Sequence, residues 1–210
     1  SGHVRVYDYD GSIWVPVGQD IDGEAAADYS GHSVSLSSDG TRVAIGATGN
    51  DVNGASSGHV RVYEYNGSLW VPVGQDIDGE AAGDELGYSV SMSSDGSRVA
   101  IGARFTDVNG ASSGNVRVYD YDGSLWIPVG QYIDGEAAAD YSGHSVSMSS
   151  DGSRVAIGAV GNGANGTYSG HVRVYDYDGS LWIPVGQDID GEAVDDYSGW
   201  SVSMSSDGTR

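Results

Sequence analysis

An internal repeat of 56 residues constrains the fold more than any other feature of the sequence. The segment Gly2–Tyr7 recurs, nearly unchanged, from Gly58, Gly114 and Gly170, and the segment that starts at Ser38 recurs with the same spacing. No insertion separates the copies. Repeats of about this length are typical of propellers and solenoids, in which one small unit is stacked many times. We therefore expect one repeat array over residues 1–210 rather than separate domains.

Each copy contains four short segments in which apolar residues alternate with polar or small ones. At the start of the chain these segments are His3–Tyr9, Ile13–Val17, Ser33–Ser37 and Arg42–Ala47. Alternation with a period of two predicts β-strands, and pairs such as Asp10-Gly11 between them favour tight hairpins. Four antiparallel strands joined by short turns make one propeller blade. The sequence therefore predicts an all-β fold of repeated four-stranded antiparallel sheets.

Three segments of each period carry a family pattern. Ser30–Ser35 is followed by Asp39-Gly40 and then by Val43–Ala47, and this order returns once per period. Together they resemble the FG-GAP repeat of integrin-type β-propellers. Two positions depart from that pattern, the Phe before the first Gly (here Ser30, Leu86, Ser142 or Ser198) and the Pro after Gly-Ala (here Thr48, Arg104 or Val160). The resemblance implies a propeller used for extracellular recognition or adhesion.

The blade boundaries follow if a blade begins at the residue pair before the serine-rich strand. The units are then the outer half of a blade at 1–29, whole blades at 30–85, 86–141 and 142–197, and the start of a further blade at 198–210. Two interpretations stay open. The two ends could share one blade and close a four-bladed ring, or the sequence is a portion of a longer array. We prefer the second, because a closing blade that lacks an interior strand leaves backbone groups unpaired.

The charge balance excludes several classes of partner. The chain has 30 acidic residues against nine basic ones, all of them Arg, for a net charge of −21. Nucleic acids and anionic membrane surfaces both require cationic patches, so neither is expected as a partner. The absence of Cys excludes disulfides and thiolate metal sites. Apolar runs are too short for membrane insertion.

The serine-rich hairpin is the first place to look for calcium. Calcium-binding repeats of the resembled family carry Asp-x-Asp-x-Asp-Gly here, whereas this chain has Ser35, Ser37, Asp39 and Gly40. One carboxylate cannot supply the six to eight oxygen ligands that calcium takes. We expect a plain turn.

A second acidic cluster returns in every copy and is the candidate metal site. Its members are Asp20, Asp22, Glu24 and Asp28; Asp76, Asp78, Glu80 and Asp84; Asp134, Glu136 and Asp140; and Asp188, Asp190, Glu192 and Asp196. Tyr132 replaces the first Asp in the third copy. Alternate carboxylates before a Gly resemble the start of a calcium loop, and Ca²⁺ is the only cofactor that the sequence suggests. The alternative is a solvated connection whose aspartates accept hydrogen bonds from local backbone amides.

The histidines and serines do not form an active-site pattern. His3, His59 and His171 align with Asn115, and the His32 position is taken by Tyr88 and Trp200 in other copies. A general base is not expected to vary in this way among near-identical units. The serines lack an adjacent base. We therefore expect no catalytic activity.

The recurring aromatic residues allow two interpretations. The motif Trp-x-Pro-Val-Gly begins at Trp14, Trp70, Trp126 and Trp182. A pair of tyrosines, Tyr7 and Tyr9 in the first copy, recurs at positions 63 and 65, 119 and 121, and 175 and 177. Exposed rings beside carboxylates would stack on sugars and form a multivalent lectin. Alternatively, they cover the outer strands, where Pro16 marks an edge strand.

Two glycosylation sequons begin at Asn66 and Asn165, and both fall in predicted turns. Either could carry a glycan in a secretory-pathway eukaryote.

These observations together predict an extracellular or cell-surface, non-catalytic β-propeller repeat protein. Its function would be structural or adhesive, through self-association into a filament or surface layer, or through contacts with other surface proteins and glycans. The alternative is a glycan- or protein-binding propeller module of a larger receptor or adhesin.

Overall fold

Nineteen short β-strands and the turns between them make up residues 1–210 in a computed structural model that contains no helix. None of its segments is therefore a long apolar helix of the kind that crosses a membrane. The first unit contributes four strands in two small sheets, with β1 paired to β4 and β2 to β3. These strands are β1 (His3–Val4), β2 (Tyr7–Tyr9), β3 (Trp14–Pro16) and β4 (Ile21–Asp22).

Three complete five-stranded sheets follow, and we call each of them a blade. The first blade contains β5 (Ser33–Leu36), β6 (Arg42–Ala47), β7 (His59–Tyr65), β8 (Trp70–Pro72) and β9 (Ile77–Asp78). The second contains β10 (Ser89–Met92), β11 (Arg98–Ala103), β12 (Asn115–Tyr121), β13 (Trp126–Pro128) and β14 (Ile133–Asp134). The third contains β15 (Ser142–Met148), β16 (Arg154–Ala159), β17 (His171–Tyr177), β18 (Trp182–Pro184) and β19 (Ile189–Asp190).

Each blade is an antiparallel meander whose outer strand is broken in two. In the first blade the order is β5-β6-β7-β8, and β9 pairs with the opposite end of β7. The break follows Pro72, which has no backbone donor, and passes through Gly74, whose φ is +73°. The prediction of repeated antiparallel sheets is confirmed. The sequence did not reveal that the outer strand resumes inside the acidic segment as β9.

The strand predicted at His3–Tyr9 is interrupted between β1 and β2, whereas its counterpart β7 is continuous. The difference has a physical cause. β7 is paired on both sides, by β6 and by β8 with β9, while β1 and β2 have a partner on one side only.

The hydrophobic core lies between blades rather than within them. One cluster joins Val60, Val62 and Ile77 of the first blade to Ile101 and Trp126 of the second. Equivalent clusters fill the other two junctions. Complete burial of one such side chain contributes about 1.5–3 kcal/mol, so stability resides in blade-to-blade contact.

Backbone contact sets the distance between blades. A Cβ atom on Gly46 would lie 2.2 Å from the carbonyl oxygen of Gly87, and one on Gly102 would lie 2.1 Å from that of Gly143. The Gly of the Val-Ala-Ile-Gly-Ala strand is therefore required by close packing against the next blade.

The array is open. The inner strand β10 packs between β5 and β15, and residues 198–210 continue along the third blade without pairing to any strand of residues 1–29. The short inner strands lie side by side, and the outer strands with the acidic segments lie at the opposite edge of each blade.

Candidate functional site: the repeated junction between blades

A tryptophan clasp joins the outer strands of successive blades. Trp70 of the first blade donates its Nε1–H to the carbonyl of Val17, at 2.8 Å. Gln19 accepts from the Trp70 backbone N–H and donates back to its carbonyl, at 2.9 and 2.8 Å. The same bonds recur at Trp126 and at Trp182. Each indole is thus buried with its polar atom satisfied.

A serine ladder joins the inner strands at the other edge of the junction. The Ser38 N–H donates to the Ser94 carbonyl at 2.8 Å, and Ser94 repeats this bond toward Ser150. Ser35 Oγ accepts from the Met92 N–H at 3.0 Å, while Ser33 Oγ donates to the Gly87 carbonyl at 2.7 Å. The serines predicted to lack a catalytic partner therefore bond to the neighbouring blade.

An arginine lies at the centre of the outer part of each junction. Arg61 forms a bidentate pair with Asp76 of its own blade, at 2.9 and 2.5 Å, and an ion pair with Glu24 of the preceding unit. Arg173 has the same arrangement with Asp188 and Glu136. Bidentate guanidinium–carboxylate bonds are the strong, directional form of this contact. The bond from Arg173 lowers the pKa of the Asp188 carboxyl.

The middle junction differs, because Tyr132 replaces the bidentate Asp. The Arg117 guanidinium lies 4.5 Å from the centre of the Tyr132 ring, and the Tyr132 hydroxyl donates to Glu80 at 2.7 Å. Burial, together with this hydrogen bond, raises the pKa of Tyr132 to about 12. Arg117 keeps an ion pair with Glu80 at 3.2 Å.

The structure divides the predicted acidic cluster among three environments. At the two junctions on either side of the middle one, the first Asp and the Glu bond to arginine, as Asp76 and Glu24 do, whereas at the middle junction only the Glu does. The second Asp lies on the short outer strand, where Asp78 is paired with His59 and burial raises the pKa of its carboxyl. The last Asp accepts from a backbone N–H three residues earlier in the chain; this set is Asp28, Asp84, Asp140 and Asp196.

Two equivalent groups, one at each flanking junction, bring potential metal ligands together. Glu24, His59 and Asp76 have donor atoms within 4.8 Å of one another, and so do Glu136, His171 and Asp188. In both groups the two carboxylates already bond to an arginine. Calcium takes six to eight oxygen ligands, so these residues do not fit it. The geometry favours the interpretation in which the carboxylates bond to arginines and backbone amides, and calcium binding stays a prediction.

The histidines are packed rather than poised for proton transfer. His59 and His171 are buried at the junctions, and burial lowers the pKa of both. His32 and His144 lie in a row of rings with Tyr88 and Trp200. Burial and the charge of Arg104 lower the pKa of His144 to about 4.

The serine-rich hairpin is a turn held by local hydrogen bonds. Asp39 Oδ1 accepts from the backbone N–H and hydroxyl of Thr41 and from the Ser37 hydroxyl. These bonds lower the pKa of Asp39 to about 2.

The tryptophans are not a lectin surface along the array. Trp70, Trp126 and Trp182 are at most 3% exposed, whereas Trp14 is 67% exposed. Pro16 and its counterparts lie on the outer strand, as the second interpretation predicted.

Both sequon asparagines are exposed in turns. Asn66 uses its side-chain oxygen as an acceptor for the N–H groups of Ser68 and Leu69. Asn165 donates its side-chain amide to the Gly191 carbonyl at 2.9 Å. An N-linked glycan attaches to the side-chain amide nitrogen, which takes part in a hydrogen bond in Asn165 but not in the bonds of Asn66. Asn66 is therefore the more suitable glycan acceptor.

Sequence reasoning missed the glutamines of the clasp and the row of rings at the start of the inner strands. Gln19, Gln75 and Gln131 recur at the repeat spacing, which was the available signal. The ring row consists of His32, Tyr88, His144 and Trp200, whose neighbouring centroids are 4.7, 5.1 and 4.6 Å apart. This position is His, Tyr or Trp in different copies, which indicated a role in packing. The sequence did not show that the four rings lie against one another.

Fold and junction together define an open array of β-propeller-like blades. A family profile described as "FG-GAP repeat" matches residues 77–119, from β9 of one blade into β12 of the next. The chain therefore contains an FG-GAP repeat, as the sequence predicted. No curated protein sequence matches the chain.

Solved structures with a similar fold include a candidate 6-phosphogluconolactonase of Bacteroides uniformis ATCC 8492, with TM-score 0.57 and 13% identity over 90% of this chain and 48% of that one. A candidate 6-phosphogluconolactonase of Bacteroides fragilis NCTC 9343 has TM-score 0.56 and 14% identity over 83% and 42%. Hydrazine synthase of Kuenenia stuttgartiensis has TM-score 0.53 and 15% identity over 90% and 43%. The chain spans less than half the length of these structures. At such identities the likeness concerns fold alone.

Proposed function

We propose that the chain is a non-catalytic, extracellular structural or adhesive module whose blades dock face to face and whose two end faces each accept a further blade, either of the same array or of a second copy. FG-GAP repeats are typical of extracellular and surface proteins, and one is present here. The observation that carries the proposal is the recurrence of the tryptophan clasp and of the serine ladder at the repeat spacing. Each blade has one face that offers the Trp and an opposite face that offers the Gln.

The two end faces are complementary by the same chemistry. At one end Trp14 is 67% exposed, although its three counterparts are buried in clasps. At the other end Ile189 is 54% exposed, whereas Ile21, Ile77 and Ile133 are at most 4% exposed. An open groove there is lined by Val172, Val174 and Val185 among others. Such head-to-tail contact produces rings or filaments, depending on whether the rotation closes.

Supporting observations come from electrostatics and from the absence of a poised nucleophile. The net charge of −21 keeps single copies apart at low salt. Extracellular salt screens this repulsion over roughly 8 Å and permits docking. The buried histidines have lowered pKa values, and the serines bond to neighbouring backbone.

Sedimentation velocity of the 210-residue chain over a concentration series in physiological salt tests this proposal. We expect concentration-dependent assembly that Trp14→Ala and Ile189→Asp each abolish without loss of β-sheet circular dichroism. Ile13→Ala is the matched control, because Ile13 and its counterparts Leu69, Leu125 and Leu181 are exposed in every copy. A chain that stays monomeric, or that assembles equally well with Trp14→Ala, would contradict the proposal.

The alternative function, a glycan- or protein-binding module, is favoured by one specific observation. An aromatic groove lies beside the ring row.

A further inference from the structure

Several of the differences among otherwise near-identical repeats lie at one place on the surface. Arg104 and Phe105, directly after β11, are replaced in the other blades by Thr48-Gly49 and Val160-Gly161. Tyr168, in the corresponding loop of the third blade, is replaced by Ser56 and Ser112. Phe105 and Tyr168 lie in loops of different blades, yet they line the same groove. Two neighbouring units have thus each gained an aromatic residue at one location.

The groove is open and has aromatic walls. Its volume is about 240 Å³. The Phe105 ring packs edge-on against Tyr141 at 5.8 Å on one side. Tyr168 stacks nearly parallel on Tyr197, with centroids 5.4 Å apart and an interplanar angle of 14°. Trp200, 62% exposed, presents a further ring beside Tyr197.

A charged pair found at no other junction lies beside these rings. The Arg104 guanidinium is 3.7 Å from the centre of the Tyr88 ring and 4.3 Å from that of Phe105. Its nearest carboxylate belongs to Glu85, at 3.7 Å, and Glu85 stands where the other copies have Tyr29, Tyr141 and Tyr197. The buried Nε–H of Arg104 has no hydrogen-bond partner in the chain. Neither member of the pair occurs in the other copies, and the Arg104 Nε–H is an unused donor.

We infer that this groove is a binding site for an uncharged, pyranose-containing glycan. Aromatic faces bury the apolar C–H face of a sugar ring. The Tyr hydroxyls and the Arg104 guanidinium supply the few directional polar groups that fix a ligand's orientation. The groove volume, at about the lower limit of small-molecule pockets, suits one or two sugar rings.

Charge decides between a neutral and an acidic glycan. Glu85 lies beside the groove, 3.7 Å from Arg104, and offsets its charge, and the chain as a whole carries an excess of acidic residues that gives a net charge of −21. A carboxylate-bearing sugar would face Glu85 and this field, so the electrostatic energy opposes its binding. Hydroxyl groups accept from the guanidinium without that cost.

A glycan microarray with neutral hexose, N-acetylhexosamine, uronic acid and sialic acid probes, followed by saturation-transfer NMR titration of each hit, tests the inference. We expect binding of neutral probes only. Phe105→Gly and Tyr168→Ser install the residues that the sister blades carry, so both variants should fold. Loss of one stacking ring should raise Kd by about two- to tenfold, and the double variant should lose detectable binding.

Asn66→Asp is the matched control, since it also installs a sister-blade residue, in a turn outside the groove. It should leave Kd unchanged, as should Trp14→Ala, which tests self-association alone. The inference is overturned if no neutral glycan binds, if acidic probes bind more tightly, or if Phe105→Gly and Tyr168→Ser leave Kd as it was.

Discussion

The middle junction and the two junctions that flank it all contain a central arginine, but different residues surround this arginine. At the flanking junctions Arg61 and Arg173 each bond to two carboxylates and lie beside a buried histidine. At the middle junction Arg117 faces one carboxylate and the face of Tyr132, and Asn115 takes the histidine position. The Arg117 side chain is only 3% exposed, against 21% for Arg61.

The arginine is common to all three junctions, whereas its partners are two carboxylates at the flanking junctions and one carboxylate with an aromatic face in the middle. A guanidinium can exchange a bidentate carboxylate for an aromatic face because it is planar and weakly hydrated. The exchange leaves Arg117 Nε and both side-chain polar atoms of Asn115 without hydrogen-bond partners in the chain.

The largest contrast should come from replacing each arginine with Met. Arg61→Met leaves Glu24 and Asp76 facing each other without a cation, and we expect it to lower the free energy of unfolding by about 1–3 kcal/mol. Arg117→Met leaves only Glu80, which is 57% exposed and can turn to solvent. We expect a change within about 1 kcal/mol there, because the remaining carboxylate is solvated and an ion pair with an exposed partner contributes little. Urea unfolding followed by tryptophan fluorescence measures both; equal losses would remove the distinction.

A double-mutant cycle at the middle junction tests whether positions 115 and 132 changed together for a physical reason. Asn115→His and Tyr132→Asp restore the flanking arrangement. We expect the double variant to be more stable than the sum of the single variants by about 1 kcal/mol. Tyr132→Asp combined with Asp122→Asn, in an exposed turn, is the control and should be additive. Additivity in both pairs would show that the co-substitution carries no energetic coupling.

A smaller effect should appear in the pH dependence of stability. Burial lowers the pKa of His59 and His171, so between the folded-state pKa and the unfolded value of about 6.5 the unfolded chain binds more protons. Stability therefore falls as pH decreases through this window. His59→Asn with His171→Asn gives all junctions the middle residue, and we expect a shallower fall in Tm from pH 7 to pH 4. An unchanged pH profile would locate the titration elsewhere, with His144 the first residue to examine.

The smallest expected effect is that of calcium. Since the carboxylates bond to arginines and backbone amides, EDTA should leave Tm unchanged. Added calcium should raise Tm no more than sodium chloride of equal ionic strength, which screens the same repulsion. A calcium-specific rise in Tm beyond that control would restore the metal interpretation of the acidic clusters.

Much of the fold could be predicted from the sequence because each position of the 56-residue unit occurs in three or four copies, which makes the pattern of apolar residues clear. The alternation of apolar and small residues predicted a strand at Arg42–Ala47, and the structure has a strand with the same bounds. This strand is regular over its whole length because it is paired on both sides. The alternation did not predict β9, because two residues between acidic turns are too few to show a period. The site was harder to predict. Asp76 could bind a metal ion or pair with Arg61, and the outcome depends on which faces of neighbouring blades are in contact. The spacing of residues along the sequence does not reveal these contacts.

The backbone contact between Gly46 and Gly87 has a consequence for how such a chain can grow. Each 56-residue unit encodes both partners of this contact, of the tryptophan clasp and of the serine ladder. Duplicating a whole unit in the gene therefore creates one new interface and disrupts none. Removing a whole unit likewise leaves the remaining units with matching partners, whereas a gain or loss of a few residues misaligns every partner downstream. Selection on such a protein can change its length in whole steps of one blade while the chemistry of assembly stays fixed.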